Sequence, residues 1–157
     1  MSRFRRLIVV ASCAAASIVL AAPLALYGAG LSGVEGRPQK PLRLASAAQQ
    51  ELVWRRARGE GAPRIDTMNP YSLAIRLLAA PEARTPPGEL LTWWVASSYL
   101  LEHKRYKGMG WWHLSGAALA IWLSRNWTSE EILSAALQSL EHGPDGVAGP
   151  ASARAPD

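Results

Sequence analysis

An uncharged apolar run from Leu7 to about Gly30, preceded by Arg3, Arg5 and Arg6, constrains this chain more than any other feature. At ~1.5 Å per residue it makes a helix of about 36 Å, enough to cross a hydrocarbon core of ~30 Å. Its main interruptions are Ser12, Ser17, Pro23 and Tyr27. Residues 1–30 therefore read as a retained membrane anchor. Two processing alternatives compete with it. One is a cleavable signal peptide, with Ala21-Ala22 or Gly28-Ala29-Gly30 near the cut, although the run exceeds the ~7–15 residues of a signal core. The other is lipidation at Cys13, where Val10-Ala11-Ser12-Cys13 resembles a lipobox but has only a short apolar stretch before it. The three arginines hold the N-terminus in the cytoplasm by the positive-inside rule. The expected location is the bacterial inner membrane, single-pass, with the C-terminal domain in the periplasm.

Composition narrows what lies beyond the anchor. Cys13 is the only cysteine, so the exported part has no disulfide and no cysteine-based nucleophile or metal site. The net charge is +5, but Arg3, Arg5 and Arg6 supply three of those charges. The basic balance belongs largely to the anchor and is no footprint for nucleic acid. No segment alternates with period two, and no hairpin dipeptide separates two β-rich runs.

The spacing predicts an all-α protein: one N-terminal membrane helix, then a small bundle of about five helices. Residues 31–44, broken by Gly33, Gly36, Pro38 and Pro41, read as a linker, and 45–142 as the helical domain. Ser46 and Gln49 stand in a capping-box relation, ahead of an apolar side formed by Leu52, Val53 and Trp54. Asn69-Pro70 and Thr85-Pro86-Pro87 each read as a cap followed by a first-turn proline. Leu90, Leu91, Trp94, Val95, Ser98 and Leu101 make one face of the helix after Thr85. Trp111–Trp127 is a central helix without charge until Arg125, on which Trp122 is expected to be buried beside Leu114, Ala118 and Ile121. Thr128 and Glu131 form a second capping box, and Gly143-Pro144 ends the last helix. Residues 143–157 are expected to be disordered.

The candidate chemistry is modest. In the pairs Trp93-Trp94 and Trp111-Trp112, helical neighbours point about 100° apart, so one ring of each pair turns outward. Trp93 and Trp111 are the surface candidates for stacking on a sugar or a partner, with Arg125 the third binding candidate. His103, His113 and His142 lack metal-ligand spacing, and no serine sits in a nucleophile elbow, so no metal or cofactor is expected. Glu102, at a helix end beside His103, Lys104 and Arg105, is placed as a lysozyme-like acid would be. Glu60, in Gly59-Glu60-Gly61 near several arginines, is a second carboxylate candidate. The helix pair from Leu114 to Leu140 has the outline of a helix-turn-helix. Its second helix carries Glu130, Glu131 and Glu141 and no Lys or Arg, so phosphate would repel it.

Leu119-Ala-Ile-Trp-Leu-Ser-Arg-Asn-Trp127, followed by Ser129-Glu-Glu-Ile-Leu133, resembles a stretch of the peptidoglycan glycosyltransferases. Leu123, Arg125, Asn126 and Trp127 fall on that family's Leu-x-Lys-Asn-Leu pattern, and Glu130 to Leu133 on its Glu-Glu-Ile-Leu segment. Glu102 falls on its catalytic glutamate, with His103 in place of the following aspartate and Tyr106 one residue late. Ile121-Trp122 replace its Gln-Gln pair. The resemblance covers about 20 residues. It implies a lysozyme-like α fold and a place in the cell envelope. The expected function is a membrane-anchored envelope module that binds or assembles, its partners being the membrane and another envelope protein or cell-wall glycan. The alternative is a transglycosylase-like enzyme with Glu102 as its acid.

Overall fold

The computed structural model describes residues 3–79 and 84–142. These form six helices: α1 (Arg3–Ser32), α2 (Ala47–Arg56), α3 (Pro70–Ala79), α4 (Pro87–His103), α5 (Met109–Asn126) and α6 (Ser129–His142). Among the described residues there is no strand, only an isolated bridge between Val34 and Lys104. The chain is thus all-α, a long apolar helix followed by a small bundle. The expected helix stop at Gly143-Pro144 and the 143–157 tail lie outside the described residues.

Local chemistry accounts for the boundaries. The Ser46–Gln49 capping box forms in both directions at the start of α2. At its end, Arg58 takes a left-handed φ of 63°. The Gly59 amide reaches back to the Trp54 carbonyl and the Arg58 amide to that of Arg55, the paired bonds of a Schellman turn. Gly59 is needed there because the Trp54 ring lies where its Cβ would go. Asn69 Oδ1 accepts the amides of Tyr71 and Ser72, capping α3 as expected. Thr128 and Glu131 likewise exchange hydrogen bonds at the start of α6. Thr85 does not cap α4. That helix enters through Pro86 with no side-chain cap, Pro87 already supplying a helical φ and no orphan amide.

The core is built on α5. Leu91 and Leu100 of α4, Leu119 and Leu123 of α5, and Ile132 and Leu133 of α6 are fully buried. The expected faces need three corrections. Leu52 is exposed, and Val53 and Trp54 carry the inward side of α2. Leu101 is exposed, because the buried face of α4 runs through Leu91, Val95, Ala96 and Leu100 and leaves Leu101 on its outer side. Trp122 is half-buried rather than buried. It packs against the core, and the Arg37 guanidinium also lies over its ring, 5.9 Å from the ring centroid.

The end of α1 joins this bundle directly. A Cβ on Gly30 would sit 2.6 Å from both Ala118 Cβ and the Leu114 carbonyl oxygen, and one on Gly33 would collide with Ser115 Oγ. Small residues on both helices permit this close crossing. Beyond α1, the Glu35 amide donates to the His103 carbonyl at 2.8 Å and the Arg105 amide to that of Gly33 at 2.9 Å. Residues 34–45 then follow the bundle surface, tied by Lys40 Nζ to Glu131 at 3.0 Å and by the Ala45 amide to Ser134 Oγ at 2.8 Å. In the other direction, Tyr71 Oη donates to the Leu20 carbonyl at 2.8 Å. Met68, three residues before Tyr71, is bonded through its amide to Ser124 and through its carbonyl to Arg125. Helix α1 therefore runs antiparallel to α5. Its Gly33 end lies by the 104–108 loop, and its Leu20 level lies by the C-terminal end of α5.

Candidate functional site

The five candidate residues do not converge. They fall in separate places on the bundle.

Glu102 is exposed in the last turn of α4 and lines a groove of about 470 Å³ with Gln39, Tyr99, His103, Gln138 and Ser139. The groove wall is an ordered stack. The Tyr99 and His103 rings lie 3.9 Å apart at 6°, one helical turn apart in sequence. His103 Nδ1 lies 3.0 Å from the Tyr99 carbonyl, and Tyr99 Oη donates to the Glu35 carbonyl at 2.9 Å. Burial pushes the Tyr99 phenol above its usual range, and the nearby Arg37 guanidinium opposes that shift. Glu60 is exposed in the loop after α2. Its described role is that of its backbone, whose carbonyl accepts Trp54 Nε1–H at 3.3 Å.

Trp93 is half-buried on α4, where its ring fills the notch left by Gly116 of α5. It stacks on His113 at 5.9 Å and 17°. Together with Met68, Leu73, Leu90 and Ala120 these two rings border an apolar cleft of about 640 Å³ between α3, α4 and α5. Sequence spacing could not reveal this cleft, because it depends on how separate helices are placed about Trp93 and His113. Arg125 is exposed, and its Nε donates to the Met68 carbonyl at 3.2 Å. That bond fixes the guanidinium at the Leu20 level of α1.

Trp111 lies at the opposite end, 39% exposed, with its ring 4.7 Å from that of the 43%-exposed Tyr106 and tilted by 44°. Lys104 lies 5.5 Å over the Trp112 ring, and Lys104, Tyr106, Met109 and Trp112 line a pocket of about 330 Å³. Trp111 was legible as an outward ring from its pairing with Trp112. Nothing in the sequence marks Tyr106 as its neighbour, because their contact depends on the path of the loop between them. Gly108, with a φ of 110°, turns this loop into α5 and sets Tyr106 beside Trp111.

Among the described residues, no group of three or more His, Cys, Asp or Glu side chains is placed to hold a metal. The stretch that resembles the peptidoglycan glycosyltransferases forms the α5–α6 corner. Leu119, Leu123, Trp127, Ile132 and Leu133 there are buried core positions, whereas Arg125 and Asn126 are exposed. No protein-family model, curated protein or solved structure matches this chain.

Proposed function

We propose that this chain is a single-pass membrane-anchored module of the bacterial cell envelope, with its helical domain on the periplasmic side, and that the domain binds rather than catalyses. Its ligand in this reading is cell-wall glycan, met by the Tyr106–Trp111 pair. The observation that carries the reading is that pair itself: two exposed rings in contact, above a lysine-bearing pocket, at the end of the domain farthest from where α1 leaves it. Sugars present apolar C–H faces that stack on such rings, and aromatic residues exposed in pairs are otherwise costly to leave in water. The anchor supports the location. Helix α1 contains a 23-residue stretch, Val10–Ser32, long and apolar enough to cross a membrane.

The test is binding of soluble peptidoglycan fragments by the full chain in nanodiscs. Trp111→Ala should weaken binding about ten-fold, equivalent to ~1.4 kcal/mol, and Glu102→Gln should leave it unchanged. Binding indifferent to Trp111→Ala would remove this reading. A second reading, a glycan-cleaving or glycan-polymerising enzyme with Glu102 as its acid, is favoured by the position of Glu102 in the groove beside Gln39, Gln138 and Ser139. Lytic or polymerising activity that disappears in Glu102→Gln would establish it over the first.

A further inference from the structure

We propose that the α3 side of the bundle is seated in the bilayer interface, so that the domain rests partly immersed beside its own span instead of being held clear of the membrane. This rests on the reading of α1 as a retained span.

Helix length forces the conclusion. From Leu20 onward, α1 is already part of the bundle. Tyr71 Oη holds the Leu20 carbonyl, Tyr27 packs on the core, and Gly30 and Gly33 abut α5. The apolar residues that precede the bundle run only from Leu7 to Val19, about 20 Å of helix at ~1.5 Å per residue. A hydrocarbon core needs ~30 Å. The missing ~10 Å has to come from the next two turns, and there Leu20, Leu24 and Leu26 remain exposed despite the docking. Embedding those turns brings whatever is attached to them down to the same depth, and Tyr71 at the start of α3 is attached to Leu20.

The residues at that level have the chemistry of a bilayer boundary. Tyr71 offers an aromatic ring with a polar tip. Ile75, one turn further along α3, is 64% exposed, while Leu73 of the same helix packs on the core. Arg125, exposed and tied to the Met68 carbonyl, places a cation at the same end for anionic headgroups. The Tyr71 hydroxyl also gives the Leu20 carbonyl a donor at that depth. The occupant of this face is a phospholipid surface containing anionic lipid.

The other end of the bundle supplies a matched control. Leu101 is as exposed as Ile75, at 64%, but it lies by the Gly33 end of α1. From Leu20 to Gly33 is about 20 Å along the helix at ~1.5 Å per residue.

The experiment uses the full chain carrying Cys13→Ala and a single new cysteine, Val19→Cys, Ile75→Cys or Leu101→Cys, labelled with a polarity-sensitive fluorophore. Each is placed in nanodiscs of phosphatidylethanolamine and phosphatidylglycerol, with and without nitroxide-bearing lipid. The labels at positions 19 and 75 should emit blue-shifted and be quenched about two-fold or more by the nitroxide. The label at 101 should emit as in water and stay unquenched. Quenching at 19 together with a position 75 that behaves like 101 overturns the inference and leaves the span standing. No quenching at 19 overturns the span, and the inference with it. Equal quenching at 75 and 101 overturns the inference too, since the domain would then lie flat on the surface. Ser72→Cys, also exposed on α3, repeats the measurement if Ile75→Cys does not fold.

Discussion

Alanine substitutions at Gly28 and Gly30 should move stability in opposite directions, although the two glycines lie within one turn of α1. Alanine in place of a helical glycine gains ~0.5–1 kcal/mol in backbone entropy and propensity. At Gly28 nothing lies within 4 Å of the added methyl, so that gain stands undiminished. At Gly30 the methyl would lie 2.6 Å from Ala118 Cβ, 2.6 Å from the Leu114 carbonyl oxygen and 3.2 Å from the Leu114 carbonyl carbon. Ordinary carbon contacts lie near ~3.5–4.0 Å, so the overlap is about 1 Å. The atoms it meets belong to the α5 backbone or hang directly from it, and cannot swing aside as a long side chain would. The two helices must part, at a cost of ~1–3 kcal/mol. The net effect of Gly30→Ala is a loss of about 0.5–2 kcal/mol after the propensity gain. For a chain of this size each kcal/mol moves the midpoint by ~2–4 °C. Thermal unfolding of the full chain in mild detergent, followed by tryptophan fluorescence, should show Gly28→Ala raised by ~1–4 °C and Gly30→Ala lowered by ~1–8 °C. The comparison is internal to one helix, so the choice of detergent cancels. A Gly30→Ala midpoint at or above that of Gly28→Ala would refute the close α1–α5 crossing and every conclusion drawn from it.

Two further outcomes are expected. Ser124→Ala should cost ~1–3 kcal/mol in urea unfolding, because buried Ser124 Oγ accepts the Met68 amide at 3.0 Å and the alanine leaves that amide without an acceptor; a loss below ~0.3 kcal/mol would sink this account of how the segment before α3 is tied to α5. Glu131 titrates below its ordinary range, chiefly because its carboxylate accepts the Thr128 amide and secondarily because Lys40 lies beside it. Its contribution to stability is therefore complete above the ordinary glutamate value of about 4.3 and is lost as pH falls through the lowered value. Glu131→Gln should flatten the acid limb of the stability–pH curve, Lys40→Met should flatten it less, and an unchanged acid limb in Glu131→Gln would refute the assignment.

Much of the helical architecture could be read from local chemistry, because a cap or a first-turn proline is a short-range signal. Ser46 with Gln49, Asn69 with Pro70, and Thr128 with Glu131 each satisfy amides that lie within three residues, so no tertiary knowledge is needed to place them. Thr85 failed for the converse reason. Two prolines follow it, and a helix opening on proline has fewer amides to cap, so the hydroxyl has nothing to gain. The inward faces were less secure at helix ends. Leu52 and Leu101 fit an apolar spacing yet point to water while the adjacent Val53 and Leu100 are fully buried, because an apolar-rich helix fits more than one phase and only tertiary packing selects between them.

The same distinction explains what was hidden in the site. Trp122 shares a helical face with Ala118 and Ile121, and periodicity alone assigns it their burial. Trp122 does pack against the core, but the chain leaving α1 also reaches it, with Arg37 laid over the ring. A stretch containing Gly36, Pro38 and Pro41 shows no period, so nothing in its sequence announces where it will lie. It nonetheless decides the groove beside Glu102, through Tyr99 Oη on the Glu35 carbonyl and Lys40 on Glu131. The depth of the domain relative to its anchor was hidden in the same way. An apolar run gives a length, and only the hydrogen bond from Tyr71 to Leu20 and the glycine contacts on α5 show how much of that length the bundle has already taken. A span that is long enough on paper is too short to stand clear of the domain once its last turns are docked along α5, and the bilayer then has to accommodate the protein as well as the helix.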